Sequence, residues 1–176
     1  VFGVEAAAAA SALASRAAGR VVQIETAETI ADGIATKRIG ERTFPLLERY
    51  VDDIIALGED QIAGAVHLLL ERQKLVAEGA GAAPLAALVA GAVPIGEDDV
   101  IVSILSGGNI DVNLVERIID RGLLADGRLA RLMIKVRDRP GSLAHLTQLV
   151  ADAGANVLEI GHRRAFADIR VGDVEI

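Results

Sequence analysis

The chain has 176 residues, is 52% hydrophobic and 2% aromatic, and carries a net charge of −7. That length suits one domain or two small ones, with alanine and leucine rather than aromatic rings filling the core. The acidic balance, and the lack of any Lys/Arg cluster with interleaved aromatics, argue against a nucleic-acid interface; the absence of cysteine removes disulfides, Cys-based zinc sites and thiol nucleophiles, and suits a reducing cytoplasm.

Taken in chain order, Val1 to Val4 reads as a buried strand and the Ala-rich stretch to Ala18 as a helix. That stretch is no signal segment, because it lacks a basic start and is broken by Ser11, Ser15 and Arg16. Val21 to Ile24 is a short β-rich run, and 26–42 is irregular, broken by Gly33 and Gly40. Phe44 to Tyr50 suits a helix with Pro45 in its first turn, and Asp53 to Leu57 a strand. Glu59 to Lys74 is a helix with Ile62, Val66, Leu69 and Leu70 on one face. Gly79 and Gly81 interrupt the pattern before a helix over Ala82 to Ala90. Val100 to Leu105 is a continuous apolar run and predicts a central strand; Asn109 to Arg121 predicts a helix. Strands alternating with helices predict an α/β layer with parallel strands.

Residues 123–129 read as a linker after a first domain over 1–122. A second domain then occupies 130–176. Ala130 to Val136 predicts a strand, Arg137 to Gly141 a turn, and Ser142 to Ala153 a helix with Leu143, Leu146, Leu149 and Val150 inward, stopped by Gly154. Asn156 to Ala165 and Arg170 to Ile176 predict two more strands. The order β-α-β-β is most of a ferredoxin-like unit. The start at Val1, not Met, and the strand that stops at Ile176 suggest a piece of a longer protein. No segment reaches the ~18 apolar residues of a membrane span.

The run Val102 to Asn109 is the richest in chemistry. An apolar strand ends in Ser106, Gly107, Gly108 and an amide, and open α/β sheets place ligands at such strand ends. Glycines let the backbone approach a flat ligand, and the hydroxyl offers one oriented hydrogen bond. A plain turn would use the same residues. Asp32 and Gly33 in the irregular segment, and Glu78 among Gly79 and Gly81, are further candidates; an ordinary solvated carboxylate is the simpler reading of Asp32 and Glu78. His67, His145 and His162 show no metal or triad spacing and read as structural or surface residues.

Five pieces in order resemble the C-terminal half of the catalytic domain of threonine dehydratases: Gly3-Val4-Glu5, Thr29 to Ala35, Thr43 to Leu46, Lys74 to Ala83 and Leu105 to Asn109. The resemblance implies a pyridoxal-phosphate (PLP) fold of type II, like the β subunit of tryptophan synthase. It implies that Ser106 hydrogen-bonds the pyridine nitrogen, with Gly107, Gly33 and Glu78 near the cofactor. A neutral hydroxyl does not hold that nitrogen protonated as a carboxylate would, which suits prompt β-elimination of L-threonine to 2-oxobutanoate and ammonia. Some relatives bind a divalent cation through residues matching Glu5, the Ala9 carbonyl and an acidic residue at position 11; here that residue is Ser11, which puts the cation in doubt. The family's Schiff-base lysine and phosphate loop match none of Lys37, Lys74 or Lys135, so this chain alone is expected to be inactive.

Residues 130–176 resemble an ACT domain, through Val136 to Leu143 and Asn156-Val157. The unpaired N–H groups at the start of a helix can receive a ligand carboxylate. Asp138, Gly141, Ser142 and Asn156 are the effector candidates, although Pro-Gly-Ser also makes an ordinary turn and N-cap. The resemblance implies L-threonine or L-serine as substrate, isoleucine or valine as effector, and a homo-oligomer, dimer or tetramer, without nucleic-acid or membrane partners. The alternatives are a serine dehydratase or serine racemase, and a non-catalytic ACT-based amino-acid sensor.

Overall fold

The computed structural model describes residues 1–164 and 170–176. The chain divides into two compact units, Val1–Arg128 and Leu129–Ile176. The larger unit is α/β. Its two strands, β1 (Phe2–Ala6) and β2 (Asp53–Leu57), pair in parallel with Phe2 opposite Asp53 and Ala6 opposite Leu57. Parallel strands need a crossover, and here it carries α1 (Ser11–Ala18), a long irregular segment with a 3₁₀ turn at Asp32–Ile34, and α2 (Phe44–Tyr50). Pro45 sits in the first turn of α2, where its missing N–H costs nothing.

Helix α3 (Glu59–Leu68) opens with Glu59 and Asp60 at its positive end, and Gln61 Oε1 accepts the Gly58 N–H at 2.9 Å. Ile62, Val66 and Leu69 are buried, as the 3.6-residue period predicts. Beyond Leu68 the helix widens into a π turn over Leu69–Gln73 and ends at Lys74, a non-glycine residue in the left-handed region at φ 57°. Helix α4 (Gly79–Val89) starts earlier than the sequence suggests. Gly79 and Gly81 do not interrupt it; they form its first turn, buried against neighbouring backbone. Ala82, Ala83, Ala86 and Ala87 are then fully buried together with Leu57, Ile62 and Ala65. Small side chains replace aromatic bulk by letting backbones approach closely.

Two expectations in this unit are corrected. The run 21–24 contributes a single bridge, Gln23 to Arg38, rather than a strand. The run 100–105 pairs with no strand among the described residues, and Val100, Val102 and Ile104 are 92%, 84% and 74% exposed. Its composition is that of a buried strand, but β1 and β2 pair only with each other. Without a neighbouring ladder, an apolar run has no sheet to join. Helix α5 (Val112–Ala125) begins with Asp111 accepting the Asn113 N–H at 2.8 Å. It continues through Gly122 to Ala125, so much of the expected linker is helical, and the division between units follows Arg128.

The smaller unit pairs β3 (Lys135–Arg137) antiparallel with β4 (Asp173–Glu175), and Ile134 and Ile176 exchange both backbone hydrogen bonds beyond them. Helix α6 (Ser142–Asp152) lies between these strands in sequence, and Gly154 follows it at φ 73°. The predicted strand over 156–165 reduces to one bridge, Arg163 to Glu175; Ala165 lies outside the described residues. No residue of α6 is buried: Leu143 and Leu149 are 37% and 52% exposed. The amphipathic pattern is present, but three-residue strands supply too little sheet to cover its apolar face.

Arg16 ties the crossover of the larger unit together. Its Nη2 donates to the carbonyls of Leu47 (3.2 Å) and Val51 (2.6 Å), and Nε to Glu48 Oε1 (2.9 Å). It thereby satisfies carbonyls left over at the C-terminus of α2. Replacing Arg16 by Leu is expected to cost about 1–2 kcal/mol, read as a lower midpoint in denaturant unfolding with an unchanged slope.

Candidate functional site

Three segments far apart in sequence meet in the larger unit: the 3₁₀ turn around Gly33, the start of α4, and the loop 106–109. Glu78 is the residue on which they converge. Its backbone N–H donates to the Gly107 carbonyl at 3.3 Å, and its Oε2 accepts the Asn109 N–H at 3.1 Å. A Cβ built on Gly107 would lie 2.3 Å from Glu78 Oε1, and one on Gly33 would lie 3.2 Å from the same oxygen. The half-buried carboxylate is therefore held between two glycines, and Gly107 also needs its left-handed φ of 73°.

The start of α4 packs as tightly. A Cβ on Gly81 would overlap the Ser106 carbonyl oxygen at 1.4 Å, and one on Gly79 would sit 2.7 Å from the Ile30 carbonyl. The glycine spacing expected to permit close approach does so, against the protein's own backbone. Ser106 itself is exposed and its hydroxyl makes no hydrogen bond among the described residues, so it is available to a ligand. Asp32, beside Gly33, is exposed. Exposed glycine backbone and a free hydroxyl leave this face open to a ligand, as the resemblance to threonine dehydratases implies. Within the larger unit the lysines stand elsewhere: Lys74 Nζ donates to the Glu71 carbonyl at 2.6 Å and Lys37 is exposed on the crossover.

The suggested cation ligands do not fit a hard cation. Glu5 Oε1 and Oε2 accept the N–H groups of Ala12 and Leu13, both at 2.9 Å. The N-cap of α1 is Ala10, which has no side-chain acceptor, so Glu5 caps that helix from β1. Glu5 is thus more than a strand-end charge. Ser11 is buried and contributes only a neutral hydroxyl, 3.4 Å from Thr36 Oγ1, and Ala9 is buried as well.

In the smaller unit, a cleft of about 340 Å³ opens at the N-terminus of α6. Asp138, Gly141 and Ser142 line it, as do Arg139, His162 and Arg164. Gly141, at φ 92°, is the N-cap of α6. Ser142 does not cap the helix; its hydroxyl donates to the Arg137 carbonyl at 2.8 Å and fixes the turn. Asn156 is exposed and lies outside the cleft. Asp138 is committed to a side chain that sequence reasoning missed: Arg164 Nε donates to its Oδ2 at 2.6 Å and Nη2 to its Oδ1 at 3.3 Å. The basic run His162-Arg163-Arg164 was the available signal, but nothing in the sequence says which base returns to the turn.

The Arg164 guanidinium holds the Asp138 carboxyl below the usual carboxylate range, with a smaller contribution from His162. A lowered folded-state pKa means that this pair stabilises the unit above the ordinary carboxylate pKa, and that the contribution is lost as pH falls through the lowered value. Carboxyl ¹³C titration should find Asp138 protonating below the usual aspartate range. Arg164→Gln should return it to the usual range.

Comparison with known proteins agrees with both units. Residues 1–107 match the family of pyridoxal-phosphate dependent enzymes, and residues 130–174 match the ACT domain. The chain belongs to the pyridoxal-phosphate dependent enzymes. Its larger unit has the α/β architecture of PLP fold type II, and its smaller unit is an ACT domain. It is 44% identical to the L-threonine ammonia-lyase of Thermotoga maritima over all 176 residues, which is 43% of that protein. The crystal structure of the T.th. threonine deaminase matches with 42% identity and a TM-score of 0.55, over 63% of this chain and 40% of that one. Serine racemase from Dictyostelium discoideum matches with 32% identity and a TM-score of 0.54, over 64% of this chain and 36% of the other. The chain thus spans less than half the length of the curated relatives it matches over its full extent.

Proposed function

We propose that this chain is the C-terminal part of a PLP-dependent threonine ammonia-lyase under amino-acid control. The observation that carries the reading is 44% identity to L-threonine ammonia-lyase extending through both units. The meeting of Gly33, Glu78 and the 106–107 backbone supports it. Pyridoxal phosphate, when bound, supplies an electron sink for negative charge developing at the substrate Cα.

The residues of this chain form one wall of its site. Ser106 Oγ would donate to the ring nitrogen and, being neutral, would leave that nitrogen unprotonated. Gly107 and Gly33 would let backbone come close to the ring because neither has a side chain to hold it off. Glu78 keeps the loop in register through its bonds to Gly107 and Asn109. In the overall reaction L-threonine loses water across Cα–Cβ, and the resulting enamine tautomerises and is hydrolysed to 2-oxobutanoate and ammonia. Lys37 and Lys74 do not stand with these residues, and none of the chain's three lysines has the sequence context of the family's Schiff-base lysine, so the chain by itself is expected to give no turnover.

In the ACT domain, the cleft beside Gly141 is read as the effector site. A ligand carboxylate would meet the free N–H groups at the start of α6, and Asp138, held by Arg164, would face its ammonium group. Isoleucine or valine is the effector class. Exposed Leu132, Met133 and Leu158 support assembly with further copies.

The test compares keto-acid formation by the full-length protein from L-threonine and L-serine. The expected outcome is 2-oxobutanoate from threonine with a kcat/KM above that for pyruvate from serine. Formation of D-serine as the main product would identify a racemase. Stoichiometric isoleucine binding without any keto acid would identify a sensor. Either result would overturn the proposal.

A further inference from the structure

A second group of chemistry-bearing side chains lies in the larger unit, among residues the proposed function does not use. His67 near the end of α3, Glu71 four residues later in the π turn, and Asp126 at the C-cap of α5 each bring a ligand atom within 4.8 Å of the other two. His67 is only 9% exposed, and neither ring nitrogen has a hydrogen-bond partner among the described residues. Neither nitrogen is sealed from solvent, so the ring can reach an ion that the polypeptide does not provide.

The surroundings are shaped for this arrangement. Gly122 of α5 leaves the room the ring occupies: a Cβ there would lie 2.4 Å from His67 Nδ1. The π turn carries Glu71 toward the ring, and single π turns inside helices recur at functional sites. Glu71 Oε1 accepts from Arg128 Nη1 at 2.5 Å, while its Oε2 has only Arg72 Nε, 4.0 Å away. Asp126 is exposed and its carboxylate makes no hydrogen bond among the described residues. With Arg128 on one Glu71 oxygen and Arg72 4.0 Å from the other, Asp126 is the uncompensated carboxylate of the group, and the three side chains together offer oxygen and nitrogen donors to a cation.

We propose that His67, Glu71 and Asp126 form a divalent-cation site, and that zinc is the ion the donors suit. One imidazole nitrogen and two carboxylate oxygens are ordinary zinc ligands, with bonds of about 2.0–2.2 Å and a fourth position for water. Tetrahedral donors then stand roughly 3.3 Å apart, and rotation of the exposed Asp126 side chain closes the remaining gap. The ion would join the end of α3 to the end of α5. The site shares no residue with Glu5, Ala9 or Ser11, nor with the segments that meet at Glu78.

The test is equilibrium competition of the chelator-treated full chain against a zinc indicator, with zinc sulfate as the probe. The expected result is one equivalent of zinc with a Kd of about 1 μM or lower. His67→Gln should weaken it more than ~100-fold and Asp126→Asn by ~10-fold or more. Arg128→Gln should tighten it several-fold, because it releases the second partner of Glu71. Asp126 and Arg128 are exposed, so these two variants stay informative even if His67→Gln does not fold. Absence of saturable binding up to ~100 μM would overturn the assignment. So would unchanged affinity in Asp126→Asn, or unchanged or weaker affinity in Arg128→Gln.

Discussion

The larger unit depends on how closely the start of α4 can approach the loop 106–109. That approach exists because Gly79, Gly81, Gly107 and Gly108 have no side chains, and because Glu78 bonds the loop with both its backbone and its carboxylate. A methyl group at Gly81 would coincide with the Ser106 carbonyl. The position of Ser106 is therefore set by backbone sterics on one side and a carboxylate clamp on the other. A helix end thus carries the loop on which the proposed cofactor contact rests.

The same economy runs through the core. With 2% aromatic residues, the unit cannot fill space with rings. It closes instead on a stripe of alanines along α4 against Leu57, Ile62 and Ala65. Close backbone approach recurs where Gly122 accepts the His67 ring. Polar groups are then settled one at a time. Glu5 reaches from β1 to cap α1, and Arg16 reaches from α1 to the last carbonyls of α2.

Much of this is legible in the sequence. The bounds of α2 and β2 follow from Pro45 and from the apolar run after Asp53, and the buried face of α3 follows from its period. The site segments stand out as glycine clusters, since glycine beside Ser106 and Glu78 marks places where backbone must come close. What the sequence conceals is pairing. Val100 to Leu105 has the composition of a central strand, yet composition does not say which strand stands beside it, and among the described residues none does. Arg164 and Asp138 are 26 residues apart, and no local pattern announces their bidentate contact. Gly79 and Gly81 look like helix breakers because helix propensity says nothing of the tertiary contact that makes glycine necessary.

The central claim is that a neutral hydroxyl, held by glycine backbone and the Glu78 clamp, meets the ring nitrogen of the cofactor. The ¹⁵N chemical shift of that nitrogen, measured with labelled pyridoxal phosphate bound to the full-length protein, reports its protonation directly. The account predicts the shift of an unprotonated pyridine, and conversion to a pyridinium shift in Ser106→Asp. A pyridinium shift in the unmodified protein, or no change with the aspartate, would contradict it.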